Sequence, residues 1–217
     1  FERKFVAAGF RSMTEIKDGS DKSSLKIARI DGYGWIATLT RPIKDEYADL
    51  TNSVPVAFAV WDGSKLNRNG LKLLSGWTAV TLAKEDKALV AVVNDTLPKA
   101  NVANGEALAL ANCSSCHNYD GAEKRGYDVS PYTAPALNNI GGYSTAAYIK
   151  ESIIAPNAVV VPGFNRNAHV GSEWYDVVDG KRMSRMPSFD WMKPEEINDM
   201  TAFFKTLQAK VETPKVK

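Results

Sequence analysis

The stretch Cys113-Ser-Ser-Cys116-His117 decides how the second half of the chain is interpreted. Two cysteines with two residues between them, followed at once by a histidine, form the pattern at which c-type haem is attached. This spacing lets one turn of chain bring both thiols to the two vinyl groups at a porphyrin edge, and it leaves the histidine under the ring to bind iron. The pattern therefore predicts a covalent haem c on Cys113, Cys116 and His117.

Paired cysteines also occur in two other kinds of site. A thioredoxin-like redox pair needs neither His117 nor the helical sequence that follows it. A zinc site needs further Cys or His ligands, and His169 is the one Cys or His outside the motif. Haem attachment is the favoured interpretation, and it leaves no cysteine for a structural disulfide.

The composition is that of an ordinary globular protein, with 44% hydrophobic and 24% charged residues and a net charge of +2. This charge does not point to a nucleic acid or to a membrane surface. The longest apolar run, Val54 to Trp61, is too short to span a bilayer and contains Pro55. We expect neither a membrane span nor a nucleic-acid partner. Because c-type haem is attached outside the cytoplasm, we also expect a leader to have been removed before Phe1, or the sequence to start late.

Residues 1–90 have the pattern of an all-β domain. The best strand candidates are 34–41, 54–61 and 76–82, which are rich in β-branched and aromatic residues, whereas alternation is broken in 25–30. Both faces of 54–61 are expected to be covered. Asp-Gly and Asn-Gly turn signals separate these runs, so we predict an antiparallel, sandwich-like β domain.

The pattern becomes helical after a predicted linker at 91–101. Helices are predicted over 104–112, over 144–154 with Ser144 as N-cap, and over 194–207 with Pro194 at the first helical position. We therefore predict an all-α domain over 102–217.

Residues 102–208 resemble a class I cytochrome c domain. The segment Ala134-Pro135-Ala136-Leu137 is similar to the one whose proline carbonyl accepts a hydrogen bond from the axial histidine, which implies that Pro135 orients His117. The segment Arg185-Met186-Pro187-Ser188-Phe189 is similar to the loop of the second axial ligand, which implies Met186. Its competitors are Met183, Met192 and His169.

Residues 6–82 resemble the b-haem-binding γ subunits of periplasmic molybdopterin complexes, such as ethylbenzene dehydrogenase and dimethylsulfide dehydrogenase. The family's pattern appears in order in four segments, 8–14, 31–42, 56–63 and 69–77. The resemblance implies a second, non-covalent haem b between Met13 and Lys72, with Lys65 and Lys26 as competing ligands. The family's β domain is longer than residues 1–90, so we expect an N-terminal portion to be absent or supplied by another chain.

Together the two resemblances predict a diheme electron-transfer protein or subunit. It would relay electrons between a molybdopterin and iron–sulfur oxidoreductase, for example a nitrite-oxidising complex, and a soluble carrier, in the periplasm or an equivalent extracytoplasmic compartment. One alternative is a monohaem c-type cytochrome whose β domain only docks a partner. Another is an enzyme acting at the c haem, which needs an open iron position. Met186 would close that position, so we expect no catalytic residues.

Overall fold

The computed structural model describes residues 3–7, 13–17, 22–32, 34–67, 72–94, 97–130, 133–160 and 174–209. The chain divides into two compact units. Over the described residues, the first falls within Phe1–Val54 and Val80–Asp86, and the second within Pro55–Ala79 and Lys87–Lys210. The domain limits that the sequence suggests at residues 90 and 101 stay predictions.

The N-terminal part of the chain is strand-rich, as the sequence predicts. The strands are β1 (Lys4–Ala7), β2 (Met13–Ile16), β3 (Ser24–Ile30), β4 (Gly34–Thr40), β5 (Val54–Val56), β6 (Ala59–Val60), β7 (Leu73–Leu74) and β8 (Thr78–Val80). They pair two by two, β1 with β2, β3 with β4, β5 with β8 and β6 with β7. The ladders β1–β2, β3–β4 and β6–β7 are antiparallel, which confirms the small antiparallel sheets, while the sandwich stays a prediction.

The weakest predicted strand belongs to the longest ladder. Strand β3 pairs with β4 along its whole length, from Ser24 opposite Thr40 to Ile30 opposite Gly34. Gly32 and Gly34 have φ angles of 82° and 101°, in the left-handed region that favours glycine. The turn brings β4 back beside β3. Because β4 is rich in β-forming residues, pairing with it compensates for the broken alternation of β3.

The predicted strand 54–61 is divided into β5 and β6. Between them, the Phe58 backbone N–H donates to Ser75 Oγ at 2.8 Å. Phe58 is 68% exposed and Val60 59% exposed. The expectation that both faces are covered is therefore wrong, because within the described residues β6 has only the two-residue β7 beside it.

Helices dominate the rest of the chain, as predicted. They are α1 (Lys87–Val93), α2 (Val102–Asn112), α3 (Ile140–Tyr143), α4 (Ala146–Ile154) and α5 (Pro194–Thr206). The prediction that Ser144 caps α4 is wrong, because Ser144 ends α3 by donating its N–H to Ile140 O. The N-cap is Thr145, whose hydroxyl accepts from Tyr148 N–H. No helix of the described ranges is long and apolar enough to cross a membrane.

Helices α2, α4 and α5 enclose a hydrophobic core. A Cβ at Gly105 of α2 would lie 2.0 Å from the Asp199 carbonyl oxygen of α5, so only glycine allows the two helices to approach this closely. The buried side chains of this core include Ala109, Ile149, Ile153, Ile197, Met200, Phe203 and Phe204. Because α2 is held against α5, its C-terminal end, where Cys113 follows, lies at the edge of this core.

A hairpin that the sequence analysis did not predict precedes α5. Strand β9 (Tyr175–Val178) pairs antiparallel with β10 (Lys181–Ser184). Asp179 and Gly180 form its turn, with φ angles of 50° and 74°. No element is predicted over this stretch, although Asp-Gly between alternating residues is a strong hairpin signal.

Candidate haem site

The two cysteines lie on a tight turn that continues α2. Cys113 donates its N–H to Ala109 O at 2.8 Å, and the N–H groups of Cys116 and His117 then both donate to Cys113 O, at 3.1 and 2.9 Å. Both cysteines are free thiols, Cys113 buried and Cys116 exposed. Burial, with a smaller effect of Cys116, raises the pKa of the Cys113 thiol to about 12, so this sulfur is neutral at physiological pH.

His117 is buried and oriented by a backbone carbonyl. Its Nδ1 lies 2.7 Å from Pro135 O. A carbonyl oxygen can only accept, so Nδ1 carries the proton and Nε2 keeps its lone pair. Burial lowers the pKa of this imidazole, although the bond to Pro135 opposes the shift, and the neutral form is the one that binds a metal.

The same two segments are joined a second time. Leu137 N–H donates to Asn118 O at 2.8 Å, beside the bond between His117 and Pro135. The segment that carries the histidine and the segment that carries the proline are thus held in fixed register, which limits rotation of the imidazole.

Met186 follows β10 and is half-buried against the helical core. The two competing methionines have different surroundings. Met183 lies on β10 and is 40% exposed, whereas Met192 is buried within the core. His169 lies outside the described residues.

These donors fit a c-type haem. Two free thiols on one turn can form the two thioethers, and a buried imidazole with a free Nε2 can take one axial position. The half-buried thioether of Met186 is a suitable second axial ligand. When bound, the haem supplies an iron that gains and loses one electron.

Residues 102–208 match the family model described as Cytochrome c. This region is similar to cytochrome c domains. The match supports a covalent haem c and electron transfer rather than catalysis. Comparison with curated proteins and with solved structures gave no match. The resemblance of residues 6–82 to b-haem subunits receives no support from these comparisons.

Arg125 organises the segment that carries the haem-attachment motif, and sequence reasoning missed it. Its Nη1 donates to His117 O at 3.3 Å, its Nη2 donates to Asn118 Oδ1, and its Nε donates to Tyr127 O at 2.7 Å. The guanidinium therefore places a fixed positive charge on the backbone of His117. The sequence carries no spacing signal for this role, because the contacts depend on the short 3₁₀ helix Ala122–Arg125.

The ligands predicted for a haem b lie in the strand-rich part of the chain. Met13 is on β2 and is 71% exposed, within the first compact unit. Lys72 is half-buried within the second unit, with its Nζ 5.3 Å from the centre of the Trp61 ring. Of the competing ligands, Lys65 Nζ lies 3.5 Å from Asp62 Oδ2, and Lys26 is exposed on β3. Residues 8–12 and 69–71, which carry part of the resemblance, are outside the described ranges.

Proposed function

We propose that the chain transfers electrons through one haem c bound by Cys113 and Cys116, with His117 and Met186 as axial ligands. The observation that carries the proposal is the bond from His117 Nδ1 to Pro135 O beside two free thiols on one turn. This bond selects the tautomer that can bind iron and fixes the plane of the imidazole.

Electron transfer is favoured over catalysis by the ligand set. If His117 and Met186 both bound the iron, they would leave it no open position for a substrate. A thioether ligand also raises the reduction potential relative to a second imidazole. Negligible binding of carbon monoxide by the native reduced protein is expected, and tight binding would instead support an enzyme. Since c-type haem is attached outside the cytoplasm, we place the protein in the periplasm or an equivalent compartment.

Acid–acetone extraction followed by a pyridine haemochrome spectrum tests the covalent haem. Haem should stay with the wild-type polypeptide and, because one thioether still holds it, with Cys113→Ser or Cys116→Ser, whereas it should become extractable when both thioethers are removed in the double variant. Ser115→Ala, on the same turn, is the matched control and should retain all of its haem. Complete extraction from the wild-type protein would contradict the proposal.

The second candidate is the diheme relay, with a haem b between Met13 and Lys72 that exchanges electrons with a molybdopterin and iron–sulfur oxidoreductase and a soluble carrier. It is favoured by large exposed apolar side chains on the strands, including Trp35 of β4 at 71% and Leu73 of β7 at 64% exposure. A porphyrin could cover such surface, but so could a protein partner, in which case these strands form a docking module and the chain holds one haem.

Haem stoichiometry separates the two candidates. A relay predicts one extractable and one retained haem per chain, with the extractable haem lost in Lys72→Ala and kept in the control Lys65→Ala. A single retained haem would leave the docking module as the function of the strands.

A further inference from the structure

The residues that follow Met186 in the sequence are hydrogen-bonded to the C-terminal end of α4. Ser188 Oγ donates to Ile154 O at 2.7 Å, and Phe189 N–H donates to Ile153 O at 3.0 Å. These carbonyls belong to the last turn of α4, where no helical N–H is available to them. The helix end therefore anchors the chain just after Met186.

A separate pair of hydrogen bonds anchors the chain before Met186. Ser184 N–H donates to Asn157 Oδ1 at 2.7 Å, and Asn157 lies just beyond the end of α4. The Ser184 hydroxyl in turn accepts from the Met186 N–H at 3.1 Å. Asn157 thus holds Ser184, and Ser184 holds the backbone of Met186.

The hairpin gives this connection a rigid base. Arg185 N–H donates to Trp174 O at 3.1 Å, which extends the β9–β10 ladder by one step beyond Ser184. The Arg185 guanidinium also contacts Asp176 Oδ1 through Nη2 at 2.8 Å and Nε at 3.1 Å. The Ser184 hydroxyl therefore lies at the end of a strand whose position is fixed by the hydrogen bonds of Arg185.

We propose that Asn157 and Ser184 are positioning residues that keep the Met186 thioether on the haem iron. This inference rests on the proposed function, in which Met186 is the axial ligand. A thioether is a weak ligand that an added imidazole can displace, so ligation depends on how well the loop is held in the bound arrangement. Groups behind a metal ligand commonly set its occupancy in this way.

Imidazole binding to the ferric protein, followed by absorption, measures this effect. Ser184→Ala and Asn157→Ala should each bind imidazole about fivefold more tightly than the wild type, the size expected for one lost hydrogen bond. In the double variant, the increase in imidazole affinity should be smaller than the product of the two single increases, because both hydrogen bonds belong to one connection. Ser184→Thr and Asn157→Asp, which keep the accepting oxygens, should stay close to the wild type.

The matched control is Ser152→Ala. Ser152 lies on α4 and donates its hydroxyl to Tyr148 O within the helix, so its loss should leave imidazole affinity unchanged. If Ser184→Ala and Asn157→Ala bind imidazole no more tightly than Ser152→Ala, the positioning role is overturned.

Met186→Ala separates this inference from the proposed function. It should lose the long-wavelength charge-transfer band of methionine-ligated ferric haem and bind imidazole more tightly than any other variant. If it keeps the band, Met186 is not the ligand and both proposals fail. If it loses the band while the Ser184 and Asn157 variants match the control, only the positioning role fails.

Discussion

The helical residues 97–209 and the strands of residues 3–86 use apolar side chains in opposite ways. Every buried hydrophobic residue of the described chain is Val93 or a residue after it. In the strand-rich part, by contrast, Trp35 of β4, Phe58 between β5 and β6, and Leu73 of β7 are 71%, 68% and 64% exposed. Apolar residues of β-forming type are thus sufficient for a hairpin, but a core also needs a second layer to cover them.

The difference in burial suggests different roles for the helical part and for the strands. The helical part contains the buried core, and there the His117 imidazole is held by a backbone carbonyl, that of Pro135. The strands present apolar surface that a cofactor or a partner protein could cover. Matched substitutions in the two regions test this contrast.

The largest effect is expected for phenylalanine truncation. Phe203 is 5% exposed and contacts the rings of Tyr119 and Phe204, so Phe203→Ala should lower the free energy of unfolding by about 4 kcal/mol. Phe58→Ala, at a site that is 68% exposed, should change it by less than about 0.5 kcal/mol. Denaturant unfolding followed by tryptophan fluorescence measures both, and equal losses would contradict the contrast.

Adding one methyl group at a glycine should have the next largest effect. Alanine normally stabilises a helix relative to glycine. At Gly105, however, the new Cβ would lie 2.0 Å from Asp199 O, and Gly105→Ala should cost about 3 kcal/mol. Nothing lies within 4 Å of a Cβ at Gly76, so Gly76→Ala is the control and should leave the thermal midpoint nearly unchanged. A stabilised Gly105→Ala would show that the helices are not in contact at this point.

A smaller loss of stability is expected when the carboxylate that joins α5 to the start of α2 is removed. Asp199 Oδ1 accepts from Asn101 N–H at 2.7 Å, and its Oδ2 accepts from Asn104 Nδ2 at 2.8 Å. Asp199→Ala should therefore cost about 1 kcal/mol in haem-monitored unfolding. Asp45→Ala, whose carboxylate serves its own loop through Tyr47 and Ala48, should leave the haem-monitored midpoint in place. Equal shifts of the haem-monitored midpoint in the two variants would show that the Asp199 carboxylate does not stabilise the contact between the two helices.

The smallest effect is a pH dependence within the first compact unit. Hydrogen bonding from Lys44, followed by bonds from Thr51, holds the pKa of Asp49 below its ordinary value of 3.8. A lowered folded-state pKa stabilises the loop above pH 3.8, and this contribution is lost as the pH falls through the folded value. The Thr51 amide resonance should therefore titrate below pH 3.8 in NMR spectra, and Lys44→Ala should move the midpoint upward. A wild-type midpoint at or above 3.8 would contradict this.

The sequence predicts the helical half better than the strand-rich half. The haem motif and α5 are visible from spacing and helix-start residues alone, because they depend on neighbours along the chain. The contacts of Arg125 are not visible, since they join its side chain to backbone carbonyls through a 3₁₀ turn. The exposure of Phe58 is not visible either, because alternation indicates which residues share a face but not whether that face is covered.

The most direct test of the account is which methionine binds the iron. Ferric absorption spectra and reduction potentials should be compared for Met186→Ala, Met183→Leu and Met192→Leu. We predict that only Met186→Ala loses the charge-transfer band of methionine ligation and shifts to a lower potential. Loss of the band in Met183→Leu or Met192→Leu, with the band retained in Met186→Ala, would contradict the proposed electron-transfer site.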